Sequence, residues 1–284
     1  MHYEEHPAPA ALRAQLECLW RLRAAPGDAA LQTLYPDGRC ELILHLAQPP
    51  LLRTADGGWQ AQARLLFAAQ TRRALQLQTQ GALHCVGLRL QPAASAALWP
   101  GPLGAERLRA WQDQVVDLSV CEPAWWSELT PALAETHAGA FPGPQLLDWL
   151  SLRLAAFRPD PCMQLACQLL DASNGRSSVA ALAQQLGCGL RSLQTRFVAA
   201  VGLSPKEYAR IRRLQACIRL LDGGGLAPAA AALEAGFADQ AHATRALRDF
   251  AGLTPARLRK ALATQRDGEA SLALAAAFVR GKST

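Results

Sequence analysis

The last 110 or so residues carry a helix-turn-helix pattern twice, and that repeat constrains the fold more than any other feature. The second copy is Leu233-Glu234-Ala235-Gly236-Phe237-Ala238-Asp239-Gln240-Ala241-His242-Ala243-Thr244-Arg245, closing at Gly252-Leu253-Thr254-Pro255. The first runs from Ala181-Leu182-Ala183 through Leu186-Gly187 and Leu193-Gln194 to Gly202-Leu203-Ser204-Pro205. Gly187 and Gly236 lie 49 residues apart, whereas Gly202 and Gly252, like Pro205 and Pro255, lie 50 apart. The copies therefore match with one extra residue in the second turn. In each, small or apolar residues at i, i+3 and i+4 pack a short helix, a glycine permits the turn, and a second helix projects outward. Two such modules side by side suit the reading of duplex DNA.

Capping signals sharpen the boundaries. Asp239 is a good N-cap for the second outward helix, and Gly189 is a weaker one for the first. After each outward helix, Ser204 or Thr254 caps the next helix, with proline at its first position where no N–H is needed. Ser204 with Glu207 fits a capping box. The helix so opened, about Pro205 to Asp222, stops at Gly223-Gly224-Gly225 and joins the modules.

Charge follows the repeat. Residues 161–284 hold 16 Lys and Arg against 8 Asp and Glu, a net of +8, whereas residues 1–160 hold 13 against 15, a net of −2. Mild basicity alone is common in proteins without a nucleic-acid partner. Its coincidence with the repeat points to phosphates.

From about Met163 to Ala263 the chain resembles the DNA-binding domain of AraC-type transcription regulators. The resemblance rests on Ala235-Gly236-Phe237-Ala238-Asp239-Gln240-Ala241-His242 with Thr244-Arg245, on both Gly-x-(Ser/Thr)-Pro endings, and on Ser192-Leu193-Gln194 followed by Arg196-Phe197. Three positions depart from the family pattern. Ala243 replaces a larger apolar residue and Leu247 a phenylalanine, which predicts a looser core in the second module. Thr195 stands where arginine is common, which removes one DNA contact of the usual kind.

A recognition helix in the major groove offers its first two turns to base edges. That assigns Arg191, Gln194 and Thr195 to base contacts in the first module, and Gln240, Ala241, His242 and Arg245 in the second, the positions to which the resemblance also points. Lys206, Arg210, Arg212, Arg213, Arg248 and Arg257 suit phosphates, which position the protein without specifying sequence. Any single one of these residues would otherwise be an ordinary solvated surface group.

The fold class expected is α+β, with a β-rich, cupin-like domain over 1–160, a double helix-turn-helix domain over 161–265, and an unassigned tail over 266–284. Tyr35-Pro36-Asp37-Gly38 reads as a turn, with proline presetting φ, aspartate bonding locally and glycine accepting positive φ. It leads into the Leu- and Ile-rich Arg39–Ala47. Leu75-Gln76-Leu77-Gln78 alternates as a half-buried strand should, and Leu83–Leu90 follows the Gln80-Gly81 turn. Short strands with such turns suggest a barrel or jelly-roll sandwich. From Pro92 to Ala156 the character becomes helical, with Trp99, Trp111, Trp125, Trp126 and Trp149 as packing residues, and Arg158-Pro159-Asp160-Pro161 marks the domain junction.

This half resembles the uncharacterised sensor-like domain that precedes some AraC-type domains, on Tyr35-Pro36-Asp37-Gly38, Glu41-Leu42-Ile43 and Val86-Gly87-Leu88-Arg89-Leu90-Gln91-Pro92. The resemblance implies an effector or dimerisation domain. Trp20, Arg72, Arg73 and Arg89 are candidates for a pocket holding an anionic or aromatic small molecule; the alternative is a core tryptophan and surface charges. Expected partners are double-stranded DNA, a small-molecule effector, RNA polymerase and a second copy of the chain.

Two competing classes find less support. A cupin-like metalloenzyme needs clustered ligands, but His45 and His84 stand singly on their strands, and no Gly-x-Ser-x-Gly or phosphate-cradling glycine loop occurs. No catalytic residue, metal or cofactor is therefore expected. An architectural binder without sequence preference leaves the polar residues at the readout positions unexplained. The N-terminus lacks a signal-peptide pattern, no apolar run of membrane-spanning length occurs, and the eight cysteines are scattered without a Cys-x-x-Cys pair, which predicts a cytoplasmic protein with reduced thiols. Cys162 and Cys167 are the least implausible redox pair.

Overall fold

The computed structural model describes residues 2–26, 31–223 and 225–267. The N-terminal region contributes β1 (His2–Pro7), β2 (Leu16–Ala24), β3 (Leu31–Leu34), β4 (Glu41–His45), β5 (Leu51–Arg53), β6 (Trp59–Ala61), β7 (Leu65–Ala68), β8 (Leu75–Gln78) and β9 (Leu83–Leu90). Next come α1 (Pro102–Ala110), β10 (Val115–Asp117), α2 (Leu118–Cys121), α3 (Pro123–His137) and α4 (Pro144–Leu154). The remainder is helical: α5 (Pro161–Ala172), α6 (Val179–Gln185), α7 (Leu190–Val201), α8 (Pro205–Asp222), α9 (Pro228–Glu234), α10 (Gln240–Ala251) and α11 (Pro255–Asp267).

The strands form two antiparallel sheets, one ordered β1-β2-β9-β4-β7-β10 and the other β3-β8-β5-β6. Side chains alternate between faces along each strand, and the large sheet is buried on both. Leu19, Leu42, Leu44, Phe67, Val86 and Leu88 form one core with Trp99, Trp125 and Trp149 from the helical stretch that follows. Register accounts for that face, since Leu42 pairs with both Leu88 and Phe67, and Leu44 with Val86 and Leu65. The opposite face carries Trp20, Glu41, Ile43, His45 and Cys85, which look across a cavity toward the small sheet. The sandwich expected from the sequence is thus present.

Several elements match the sequence reading residue for residue, including β8, β9 and α8. Others differ. β10 lies in a stretch expected to be helical; it adds an edge to the large sheet by pairing Val116 with Phe67. β1, whose sequence carried no strand signal, pairs along its whole length with β2.

The helical region has its own core, from Met163 in α5 to Leu262 in α11. Ser178 caps α6, Asp239 caps α10, and the Ser204–Glu207 capping box opens α8 as expected. Gly202 and Gly252 close α7 and α10 in the left-handed region, which only glycine adopts without strain. The extra residue of the second copy sits in the turn, where 235–239 join α9 to α10 and 186–189 join α6 to α7.

Offset by 50, the buried Leu193, Phe197 and Val201 become Ala243, Leu247 and Ala251. The space lost is filled from elsewhere. At the 49-residue offset that holds up to the turn, Phe237 stands where Cys188 does; at 50, Phe250 stands where Ala200 does, and both rings are buried. The looser core expected of the second module is therefore offset by two phenylalanines that the first module lacks.

Candidate functional site

On α7, Arg191, Gln194 and Thr195 are exposed, while Leu193 and Phe197 face the core. On α10, Gln240, Ala241 and Arg245 are exposed at the matching turns. His242 is placed differently. Its ring meets Phe237 edge-on at 5.4 Å, and Nδ1 accepts from the Ala238 N–H at 3.4 Å, so it braces the turn. Arg196 also turns away from the exposed face; its guanidinium forms a two-pronged pair with Asp160, the N-cap of α5.

The phosphate set divides. Lys206, Arg248 and Arg257 are exposed. Arg210 pairs with Asp249 at 3.6 Å and lies over the Phe250 ring. Arg213 is half-buried beside the α9–α10 turn, and burial, reinforced by Arg210, holds its pKa below the usual arginine value. Arg212 is a correction: its Nε pairs with Asp171 at 2.8 Å and its Nη1 donates to the Asp37 carbonyl at 3.2 Å. It ties the two regions of the chain together and is not presented to a duplex.

The pocket residues are corrected too. The cavity between the sheets has a volume of about 80 Å³, and of the four arginine and tryptophan candidates only Trp20 lines it. Arg89 lies behind that wall, paired with Glu41 at 2.7 Å, and the Trp20 indole N–H donates to the same carboxylate oxygen at 3.3 Å. Arg72 and Arg73 lie in a separate groove at the junction with the helical region, where Arg72 pairs with Asp113 and Glu207. The four candidates thus divide between the cavity wall, the layer behind it and the junction groove.

The sequence reading missed other polar residues in the cavity wall. Gln32 and His45 are buried there, and neither ring nitrogen of His45 has a hydrogen-bond partner. Burial pushes the His45 pKa down to about 4, an effect that the Gln62 amide opposes, so the ring is neutral near pH 7. A single histidine on a short apolar strand gave no sequence signal for this.

Two segments of the cavity wall also bind the helical region. The first is the turn at 35–39. Tyr35 is buried within the helical core, and Gln215 of α8 donates to the Pro36 carbonyl at 2.5 Å. Arg39 donates to Glu17 at 2.6 Å, to the Tyr208 hydroxyl at 2.8 Å and to Asp171 at 3.1 Å, while the Tyr208 hydroxyl donates to Asp171 at 2.8 Å. The second segment joins β7 to β8. Gln70 donates to the Val201 carbonyl at the end of α7 (2.6 Å), Arg72 pairs with Glu207 on α8 (3.0 Å), and the Ala74 N–H donates to the Phe250 carbonyl near the end of α10 (2.6 Å). One short loop thus touches both projecting helices and the helix that joins them.

The eight cysteines are free, and Cys162 lies beside Cys188 of the first turn. Burial raises the thiol pKa of Cys40 to about 12 and of Cys217 to about 11, as for packing residues. Among the described residues no group of three or more His, Cys, Asp or Glu could hold a metal ion, and no helix is long and apolar enough to cross a membrane. The tail stretch Leu272–Phe278 lies outside the described residues.

The family model of a helix-turn-helix domain matches residues 182–261, and that of a domain of unknown function, DUF6597, matches residues 4–116. No curated protein matches the chain in sequence. Among solved structures the chain is similar to ToxT from Vibrio cholerae. An apo variant from strain SCE256 has a TM-score of 0.47 at 11% identity, covering 90% of this chain and 99% of that one. The strain O395 protein bound to (E)-4-(8-methylnaphthalen-1-yl)but-3-enoic acid has a TM-score of 0.45 at 11% identity, covering 92% and 100%. An unsaturated-fatty-acid-bound form has a TM-score of 0.44 at 10% identity, covering 84% and 94%.

Proposed function

We propose that this chain, with a helix-turn-helix match over 182–261 and a DUF6597 match over 4–116, is an AraC-type, sequence-specific transcription regulator responsive to a small molecule. The observation that carries this reading is the pair of projecting helices: α7 and α10 expose Arg191, Gln194 and Thr195, and Gln240, Ala241 and Arg245, at equivalent turns. Arginine can take guanine O6 and N7 in a bidentate pair, and glutamine can do the same with adenine. Two helices of this kind would enter successive major grooves about 34 Å apart, with Lys206, Arg248 and Arg257 on phosphates.

The N-terminal domain supplies the regulation. A ligand shifts DNA affinity only through its differential affinity for two states of the protein. The segments at 35–39 and 69–75 suit that task, because each lines the cavity and is bonded to the DNA-binding half. Self-association through residues 1–160, contact with RNA polymerase, and a cytoplasmic location belong to the same reading. Fatty-acid binding is a property of the ToxT form named above.

The test is selection of duplexes from a random pool by the full chain, followed by salt titration of the winner. The reading expects one asymmetric enriched site and affinity that falls with a log–log slope of about −0.9 per phosphate contacted. Equal affinity for all duplexes would favour an architectural binder.

A further inference from the structure

We infer that the cavity between the two sheets takes a small uncharged molecule, with an apolar body of about one ring and a polar head that both donates and accepts hydrogen bonds, held by His45 and Gln32. This rests on the reading of the N-terminal half as an effector domain.

The orphaned polar atoms come first. His45 on β4 is 3% exposed and Gln32 on β3 is 4% exposed; both line the cavity. Gln62 of the same wall approaches the His45 ring, but neither nitrogen of His45 and not the Gln32 amide nitrogen completes a hydrogen bond within the protein. Buried polar groups are almost always satisfied, and leaving them bare is costly. A neutral imidazole presents one donor and one acceptor, and an amide nitrogen presents donors. Their complement is a hydroxyl, an amide or a similar head group.

Charge excludes the ionic alternatives. The wall holds Asp37 and Glu41 on one side of the balance and Arg39, with Arg89 behind it, on the other. Glu41 is taken by Arg89 and Trp20, and Arg39 is taken by Glu17, Asp171 and Tyr208. No cation is left for a carboxylate or phosphate; Asp37 accepts from the Arg39 backbone N–H at 3.0 Å and lies near the Arg39 and Arg89 charges, so no carboxylate of the wall is without a nearby cation. His45, neutral because burial lowers its pKa, supplies no charge either.

Shape completes the assignment. Trp20, Leu22, Leu34, Ile43 and Leu77 give the cavity apolar sides, and its volume of about 80 Å³ suits a small molecule. A cavity this size also has room for several waters, which is the outcome the test must separate.

The experiment is calorimetric titration of the full-length protein, in the absence of DNA, with phenol and δ-valerolactam as uncharged probes and with benzoate and benzylammonium as charged probes of similar size. At least one uncharged probe is expected to bind and to raise the thermal midpoint, with both charged probes at least about tenfold weaker. Gln32→Leu and His45→Leu each remove an orphaned polar side chain, so the ligand-free midpoint should hold or rise while affinity falls by about tenfold. Gln32→Met, close in shape, gives the same reading should a leucine variant fail to fold. Binding of benzoate as tight as phenol, no binding of either uncharged probe, or undiminished affinity in the folded variants would overturn the assignment. A probe that binds yet leaves DNA affinity unchanged would instead contradict the regulatory reading and leave the ligand class standing.

Discussion

Gly38 lies against the ring of Tyr208, so closely that a methyl group on Gly38 would come within 2.8 Å of Cε2. Gly38 also has φ of +80°, which a side chain adopts only under strain. The two residues belong to different halves of the chain, and Tyr208 is fully buried between them. Gly38→Ala should therefore lower stability by about 1–3 kcal/mol and loosen the contact between halves. Tyr208→Phe, which only removes the hydroxyl from Asp171 and Arg39, should cost about 1 kcal/mol. Denaturant unfolding and protease cleavage near 158–161 read both effects; a Gly38→Ala protein as stable and as resistant as the parent would contradict the contact.

A second glycine holds the cavity open. Gly87 on β9 pairs with Trp20 on β2, and a Cβ at Gly87 would come within 2.0 Å of the indole Cε2. Gly87→Ala should push the indole toward the cavity and cost about 1–3 kcal/mol as overpacking. The expected signature is a changed near-ultraviolet circular dichroism spectrum with an intact far-ultraviolet one.

Acid should destabilise the protein through His45. The folded His45 pKa of about 4 lies below its ordinary value of 6.5, so the unfolded chain binds the extra proton. The resulting stability is complete above pH 6.5 and is lost as pH falls toward 4, to a total of about 3 kcal/mol. His84 adds in the same direction, since burial and Arg23 hold its pKa at about 4. Burial raises the pKa of Asp37 and Glu41, which acts in the opposite sense, so the test is a difference: stability gained from pH 4 to 7 should be greater in the parent than in His45→Leu.

Lys206 and Arg212 sit on one helix and should behave differently. Lys206→Ala should weaken binding to every duplex alike and reduce the salt slope by about 0.9. Arg212→Ala removes the pair with Asp171 and the bond to the Asp37 carbonyl. It should lower stability while leaving the salt slope unchanged. Equal loss of salt dependence in both would return Arg212 to the phosphate set.

The local chemistry of the chain was legible in the sequence. Asp239, Ser204, Glu207 and the closing glycines fix helix ends through bonds to the nearby backbone, so the ends of α8 and α10 are legible from local sequence. The alternation in Leu75–Gln78 likewise announced β8. Long-range placement was not legible. Arg212 and Arg248 look equivalent in sequence, but one meets Asp171, 41 residues away, and the other meets solvent. The Tyr35–Gly38 turn was read correctly as a turn, yet nothing local tells that its tyrosine enters the helical core. His45 stands singly on its strand, and nothing local tells that its ring faces a cavity in which neither nitrogen completes a hydrogen bond.

The central claim is that α7 and α10 each read their own part of one DNA site. Arg191→Ala and Arg245→Ala, each in the full chain, should be profiled against randomised versions of the selected duplex. Each variant should lose discrimination of about 1–3 kcal/mol at one or two base pairs, and the two affected positions should lie about ten base pairs, one helical turn, apart. Loss at the same base pairs in both variants, or an unchanged profile in either, would contradict the account.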